Sequence, residues 1–163
     1  MTGQSDIFSI ELSSLIERGG VFYNIGGSSV QEVLSNLVEV VTLPLGLSKE
    51  QLKKTIIERE ELMPTAVGNG IALPHPRSPL LADIKDQFIT IAFLQKAIDW
   101  KALDGRPVQT LILIVSATPK THLWTLSRIS FLCQQESFRS LLEHRASKEE
   151  LIGAIRTAEV AWK

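Results

Sequence analysis

The sequence predicts an α/β fold, on two observations. The middle of the chain holds two near-continuous apolar runs, FITIAFL at Phe88–Leu94 and VQTLILIV at Val108–Val115. Such runs, rich in β-branched residues, read as strands buried on both faces and therefore covered by helices on both sides. The segments on either side carry apolar residues at helical spacing behind recognisable N-caps.

The elements follow in order. A short helix is expected from about Ile10 to Arg18, stopped by Gly19-Gly20, and a strand over Val21–Ile25, closed by Gly26-Gly27. Ser28 or Ser29 caps the next helix, with Gln31 or Glu32 as capping-box partner. Its apolar face is Val30, Val33, Leu34, Leu37, Val38 and Val41, and Pro44 and Gly46 end it. Ser48, with Gln51, opens another helix whose inner face is Leu52, Ile56 and Ile57. Lys53, Lys54, Glu58, Glu60 and Glu61 read as its solvated side. Between the two apolar strands, a small strand is expected near Ile98–Trp100 and a turn at Asp104-Gly105. Asp99 and Asp104 read as turn and edge polarity rather than as a catalytic carboxylate pair. Thr118 with Pro119 in the first helical position starts a helix with a predicted buried stripe of Leu123, Leu126, Ile129, Leu132 and Cys133. A short helix over Ser137–Glu143 follows. Ser147 with Glu150 caps a last one, running to about Ala158 with Leu151, Ile152 and Ile155 inward.

Composition narrows the function classes. The 163 residues are 44% apolar and 21% charged, ordinary for a globular protein and expected to form one domain over 1–163. A net charge of −1 offers no clustered basic excess for nucleic acid. The apolar runs are too short to span a bilayer. Met1–Ile10 is polar and mixed, without the basic and apolar regions of a targeting signal. The single cysteine, Cys133, excludes an internal disulfide, fits a reducing cytoplasm and reads as a small core residue.

The stretch with the most chemistry in it is Thr65–Pro79, TAVGNGIALPHPRSP. Asn69-Gly70 tolerates the positive φ of a two-residue hairpin turn. Ile71, Ala72 and Leu73 form a short apolar run, and Pro74 and Pro76 bracket His75. A proline disfavours the α conformation in the residue before it, so His75 is expected to be extended at a stiff strand end, with Arg77 two residues on. Read alone, the stretch also suits a hairpin followed by a solvated surface loop. His122 falls in the first turn of the helix begun at Pro119, where free N–H groups and the dipole favour anions; it also suits a merely polar first turn. Arg59 lies near a helix C-terminus, where a cation is favoured in any case. His144, near another helix end, is assigned no role. No closely spaced metal ligands, no Walker A loop, no G-x-G-x-x-G and no G-x-S-x-G elbow occur.

Three segments together carry a resemblance: Arg59 followed by EELMPTAVGNGIALPHPRSP, the turn LDGRPV before LILIV, and KTHLWTLSRIS. They resemble the IIA domains of the bacterial phosphoenolpyruvate-dependent phosphotransferase system, in the mannitol/fructose class that includes the stand-alone nitrogen-regulatory IIA proteins. The likeness is clear from about Ser48 to Glu159, and [ST]-x-x-G-x-G-[IV]-A-x-P-H is its most specific segment. The resemblance implies a mixed central sheet flanked by helices and a cytoplasmic protein. It implies that His75 accepts phosphate on Nε2 from the histidine phosphocarrier protein or its nitrogen-system counterpart, and that Arg59 and His122 line the phosphate site. The onward partner would be a IIB cysteine in sugar transport, or a regulatory target bound according to phosphorylation state. No metal or cofactor is called for, because the donor brings an activated phosphoryl group. Pro76-Arg77 follows the histidine where many relatives have a small residue or a different basic one, and Arg77 is expected to tune partner choice. No IIB-like or IIC-like segment is visible in the 163 residues, which inclines the expectation towards the regulatory role.

Overall fold

The computed structural model describes residues 10–162; the targeting-signal reading of the N-terminus, apart from Ile10, lies outside that range. The chain runs α1 (Leu12–Gly19), β1 (Val21–Ile25), α2 (Val30–Val40), α3 (Lys49–Leu62), β2 (Ala66–Gly68), β3 (Ile71–Ala72), a 3-10 turn (Ile84–Asp86), β4 (Phe88–Ile98), β5 (Val108–Val115), α4 (Pro119–Cys133), α5 (Glu136–Glu143) and α6 (Lys148–Ala161). The five strands form one sheet in the order β1-β4-β5-β3-β2. It is mixed: β1 lies parallel to β4 and β3 parallel to β5, while β4 with β5 and β2 with β3 are antiparallel.

The two apolar runs are the sheet's central strands, and period-two alternation divides their side chains between two cores. Phe88, Ala92 and Leu94 of β4 and Leu111, Leu113 and Val115 of β5 face α2 and α3, against Val33, Leu34, Leu37, Leu52 and Ile56. Ile89, Ile91 and Phe93 of β4 and Ile112 and Ile114 of β5 face the other helices, against Leu12, Ile16, Ile129, Leu151 and Ile155. Every residue of Phe88–Leu94 is buried, as two-sided cover requires.

The caps act as the residue types demand. Ser29 and Ser48 accept the N3 backbone N–H of their helices, and Thr118 with Thr121 and Ser147 with Glu150 form reciprocal capping boxes. Some boundaries differ from expectation. There is no separate strand at Ile98–Trp100; β4 itself continues to Ile98, after a register irregularity beyond Phe93, and pairs it with Val108. The second helix stops before Pro44, because Val41 is already extended at φ −78°, ψ 137°.

Two burial expectations are corrected. Leu123 is 67% exposed, and the inward face of α4 begins instead with Thr121 and Thr125. The cause is a polar anchor: the Gln87 side-chain carbonyl accepts both the Thr121 hydroxyl at 2.6 Å and the Ala117 N–H at 2.8 Å, which turns the first helical turns' threonines inward. Glu60, read as solvated, is 9% exposed, because both its oxygens are engaged by Thr65.

Candidate functional site

The hairpin sets up the site. Asn69 and Gly70 adopt φ of +58° and +77°, both positive, as a two-residue turn between paired Gly68 and Ile71 requires. The Asp104 carboxylate accepts the Asn69 N–H at 2.8 Å and so ties the turn to the β4–β5 loop; these backbone bonds hold the carboxyl below its usual range. Asp99 similarly accepts the Lys101 N–H at 2.9 Å, so both aspartates serve loops.

β3 then runs parallel to β5, with Ile71 opposite Thr110 and Ala72 opposite Leu111. The pairing outlasts the strand. Pro74 has no N–H to donate, but its carbonyl accepts the Ile114 N–H at 3.0 Å. This carries His75 to the C-terminal end of β5, where Ser116–Thr118 turn the chain into α4. Ligand crevices in open α/β sheets form outside such strand ends.

There the structure brings two of the predicted residues together. The His75 and His122 rings lie 4.8 Å apart between centroids, tilted by 44°. Both border a cleft of ≈430 Å³, together with Pro76, Arg77, Ser116 and Leu123. His75 is 9% exposed, and its Nδ1 lies 2.8 Å from the Leu73 carbonyl. A carbonyl only accepts, so Nδ1 carries the proton and Nε2 keeps its lone pair. His122 Nδ1 makes a long contact, 3.5 Å, with the Ser116 hydroxyl. The start of α4 has fewer free N–H groups than an uncapped helix. Pro119 has none, and the Thr118 hydroxyl takes that of Thr121.

Arg59 does not border the cleft. It sits half-buried in the last turn of α3 and donates to the Met63 carbonyl at 2.7 Å, yet its charge acts on both rings. Burial is the largest influence on each imidazole. His75 is lowered by burial, against an opposing pull from the Leu73 carbonyl, then lowered by Arg59 and raised by Glu60. His122 is pushed down to about 4 by burial, then by His75 and Arg59. At neutral pH both rings are therefore uncharged.

Sequence reading missed Ser116, Gln87 and the Glu60–Thr65 pair. Only Thr65, as the first residue of the hairpin motif, carried a signal that could have found one of them. Cys133 is buried in the core, its thiol raised to about 12 by burial. His144 ends α5, its Nδ1 2.7 Å from the Ser140 carbonyl. Among the described residues no group of three or more His, Cys, Asp or Glu is placed to hold a metal ion, and no helix is long and apolar enough to cross a membrane.

Comparison with known proteins gives the geometry its context. Residues 14–158 match the family described as phosphoenolpyruvate-dependent sugar phosphotransferase system, EIIA 2. A nitrogen regulatory protein of Pseudomonas aeruginosa is 29% identical over 145 residues, covering 87% of this chain and 92% of that protein. The fructose-specific EIIABC component of Bacillus subtilis is also 29% identical, over 150 residues; the match covers 90% of this chain but only 23% of the relative. In fold, the nitrogen regulatory protein IIA-Ntr of Neisseria meningitidis superimposes with a TM-score of 0.71 at 23% identity, covering 83% of this chain and 92% of that one.

Proposed function

This chain belongs to the EIIA 2 family of the phosphoenolpyruvate-dependent sugar phosphotransferase system, and from that premise we propose that it carries a phosphoryl group on Nε2 of His75. The observation that carries the proposal is the 2.8 Å bond from His75 Nδ1 to the Leu73 carbonyl, in a ring whose proton affinity burial has lowered. A nucleophilic imidazole must be neutral, with its free nitrogen turned towards the donor.

The reaction is an exchange of one N–P bond for another. The donor is a phosphohistidine of the histidine phosphocarrier protein. Its N–P bond breaks as the His75 Nε2–P bond forms, and the Leu73 carbonyl supports the positive charge that develops on the ring. Phosphoryl transfer of this kind depends on in-line positioning and on donors aimed at the phosphoryl oxygens, with little covalent work for the protein. His122 is 4.8 Å from His75 between ring centroids and supplies an N–H from the cleft wall. Arg59 supplies a forked cation that acts on both rings. The receiver is a IIB cysteine or a regulatory target, and the protein acts in the cytoplasm, where such partners reside. Support for the regulatory outlet is the 29% identity to a nitrogen regulatory protein; a fructose-specific component is equally similar.

The test is incubation with phosphoenolpyruvate, enzyme I and the phosphocarrier protein, followed by intact mass measurement. Wild type and His144→Ala are expected to gain one phosphoryl group, and His75→Ala none. A phosphorylated His75→Ala protein would refute the assignment. Adding a IIB domain then separates the outlets: a sugar-transport component loses its phosphoryl group to the IIB cysteine, and a dedicated regulator keeps it.

A further inference from the structure

We propose that Glu60 and Thr65 are positioning residues for His75: the Glu60 carboxylate clamps Thr65, and Thr65 holds the strand whose Leu73 carbonyl fixes the imidazole. The inference rests on His75 being the phosphoryl acceptor and deepens that reading.

The relay is continuous. Glu60, in the last turn of α3, accepts the Thr65 N–H on Oε2 at 2.6 Å and the Thr65 hydroxyl on Oε1 at 2.7 Å. The Thr65 carbonyl accepts the Leu73 N–H at 3.0 Å. The Leu73 carbonyl accepts from His75 Nδ1 at 2.8 Å. On the far side, the Pro74 carbonyl takes the Ile114 N–H at 3.0 Å, and Pro74 has its φ locked by its ring. The Leu73 carbonyl is thus held from both sides, and the orientation of the imidazole follows from it.

A solvated glutamate on a helix face would do none of this. Glu60 is 9% exposed, and a buried carboxylate is costly unless its oxygens are satisfied, as both are here. Thr65 is itself 6% exposed. Were the carboxylate absent, its N–H would be left buried without a partner, and the strand end would relax to find one. Glu60 and its neighbour Arg59 also act on the acceptor in opposite senses: Glu60 raises the proton affinity of His75 and Arg59 lowers it. Two consecutive residues at the end of α3 therefore act on the same imidazole in opposite electrostatic senses, and Glu60 alone is tied to it by hydrogen bonds, through Thr65 and Leu73.

The experiment reads the tautomer directly. Ring 15N chemical shifts of unphosphorylated protein report which nitrogen of His75 carries the proton, and the single-turnover rate from the phosphorylated carrier reports transfer. Wild type is expected to hold the Nδ1–H form. Thr65→Val removes the hydroxyl but keeps the backbone N–H, and Glu60→Gln keeps one acceptor while removing the charge. Each is expected to mix the two tautomers and to slow transfer by about tenfold to a hundredfold, the scale of a misplaced reacting group. Thr65→Ser is expected to restore both readouts. Glu60→Ala strips Thr65 of both acceptors and tests folding as much as positioning, so the decision rests on the two milder variants. Folded Thr65→Val and Glu60→Gln proteins with the wild-type tautomer would overturn the proposal, whatever their stability. If the tautomer shifts while phosphate proves to reside elsewhere than on His75, the relay stands and the functional reading falls.

Discussion

For Arg59, the helix-end reading and the proposed phosphate-binding reading predict different outcomes. Its N–H bond to the Met63 carbonyl, 2.7 Å, is what a cation in a last helical turn ordinarily makes. Only one of five donors is used there, and the charge lowers the proton affinity of both cleft histidines. Were its part confined to the helix end, Arg59→Ala would cost ~0.3–1 kcal/mol of stability and leave transfer intact. With the guanidinium directed to the phosphoryl group, the same variant loses a contact strongest in the transition state. The expected loss is then about a hundredfold to a thousandfold in single-turnover rate, with Arg59→Lys recovering only part because an ammonium cannot fork. A rate for Arg59→Ala within about twofold of wild type, under ~0.5 kcal/mol of barrier, would return Arg59 to the helix end.

Among the elements, α1 is held to β4 by a contact that only glycine permits. A Cβ on Gly19 would stand 1.9 Å from the Ile89 carbonyl oxygen and 2.4 Å from its carbon, and backbone cannot swing aside as a side chain can. Gly19→Ala therefore has to lift α1 off the sheet, and a loss of ~1–3 kcal/mol or more is expected. Gly153, on the solvent face of α6, has nothing within 4 Å of its would-be Cβ, so Gly153→Ala is expected to stabilise by ~0.5–1 kcal/mol. Urea unfolding of the two variants gives opposite signs if the α1–β4 contact is as described. The start of α4 is another such junction. Gln87 lies 34 residues from Thr121, at the mouth of β4, and its single carbonyl orients the turn that carries His122.

At the scale of the whole molecule, the site makes stability depend on pH. Both cleft histidines have folded proton affinities below the unfolded value near ~6.5, His122 at about 4. Between these limits the unfolded chain binds more protons, so stability rises with pH across that window and is lost as pH falls from ~6.5 towards 4. Above ~6.5 both states are neutral at these rings, and the contribution is complete. The slope is at most ~1.4 kcal/mol per pH unit for each ring, and less because His122 keeps part of its surface in water. Urea midpoints at pH 7.5 and 5 are expected to differ more in wild type than in His122→Gln. An equal loss in both would remove His122 from this account. In the proposed phosphorylated form, the anion on His75 beside His122 is expected to raise the proton affinity of His122, so that form should tolerate acid better.

What the sequence determined by itself was local. Paired capping residues, an Asn-Gly turn, prolines on both sides of a histidine and two uninterrupted apolar runs each act within a few residues, and their geometry follows from φ limits, missing N–H groups and side-chain period. Hence the helices, the hairpin and the extended, proline-stiffened end of β3 were legible from the residues, with the mixed sheet implied by the family motif. Tertiary structure decided what depends on residues far apart in the chain. Parallel pairing of β3 with β5 sets His75 beside His122, 47 positions later; no periodicity encodes that meeting. Gln87 turned Leu123 outward, against the apolar spacing of α4. Glu60 looked like one more charge on a wet helix face because hydropathy reports only what a side chain prefers on average. Whether a carboxylate is buried depends on the donors placed beside it; Thr65, five residues on, donates to both oxygens of Glu60, a local contact that hydropathy does not report.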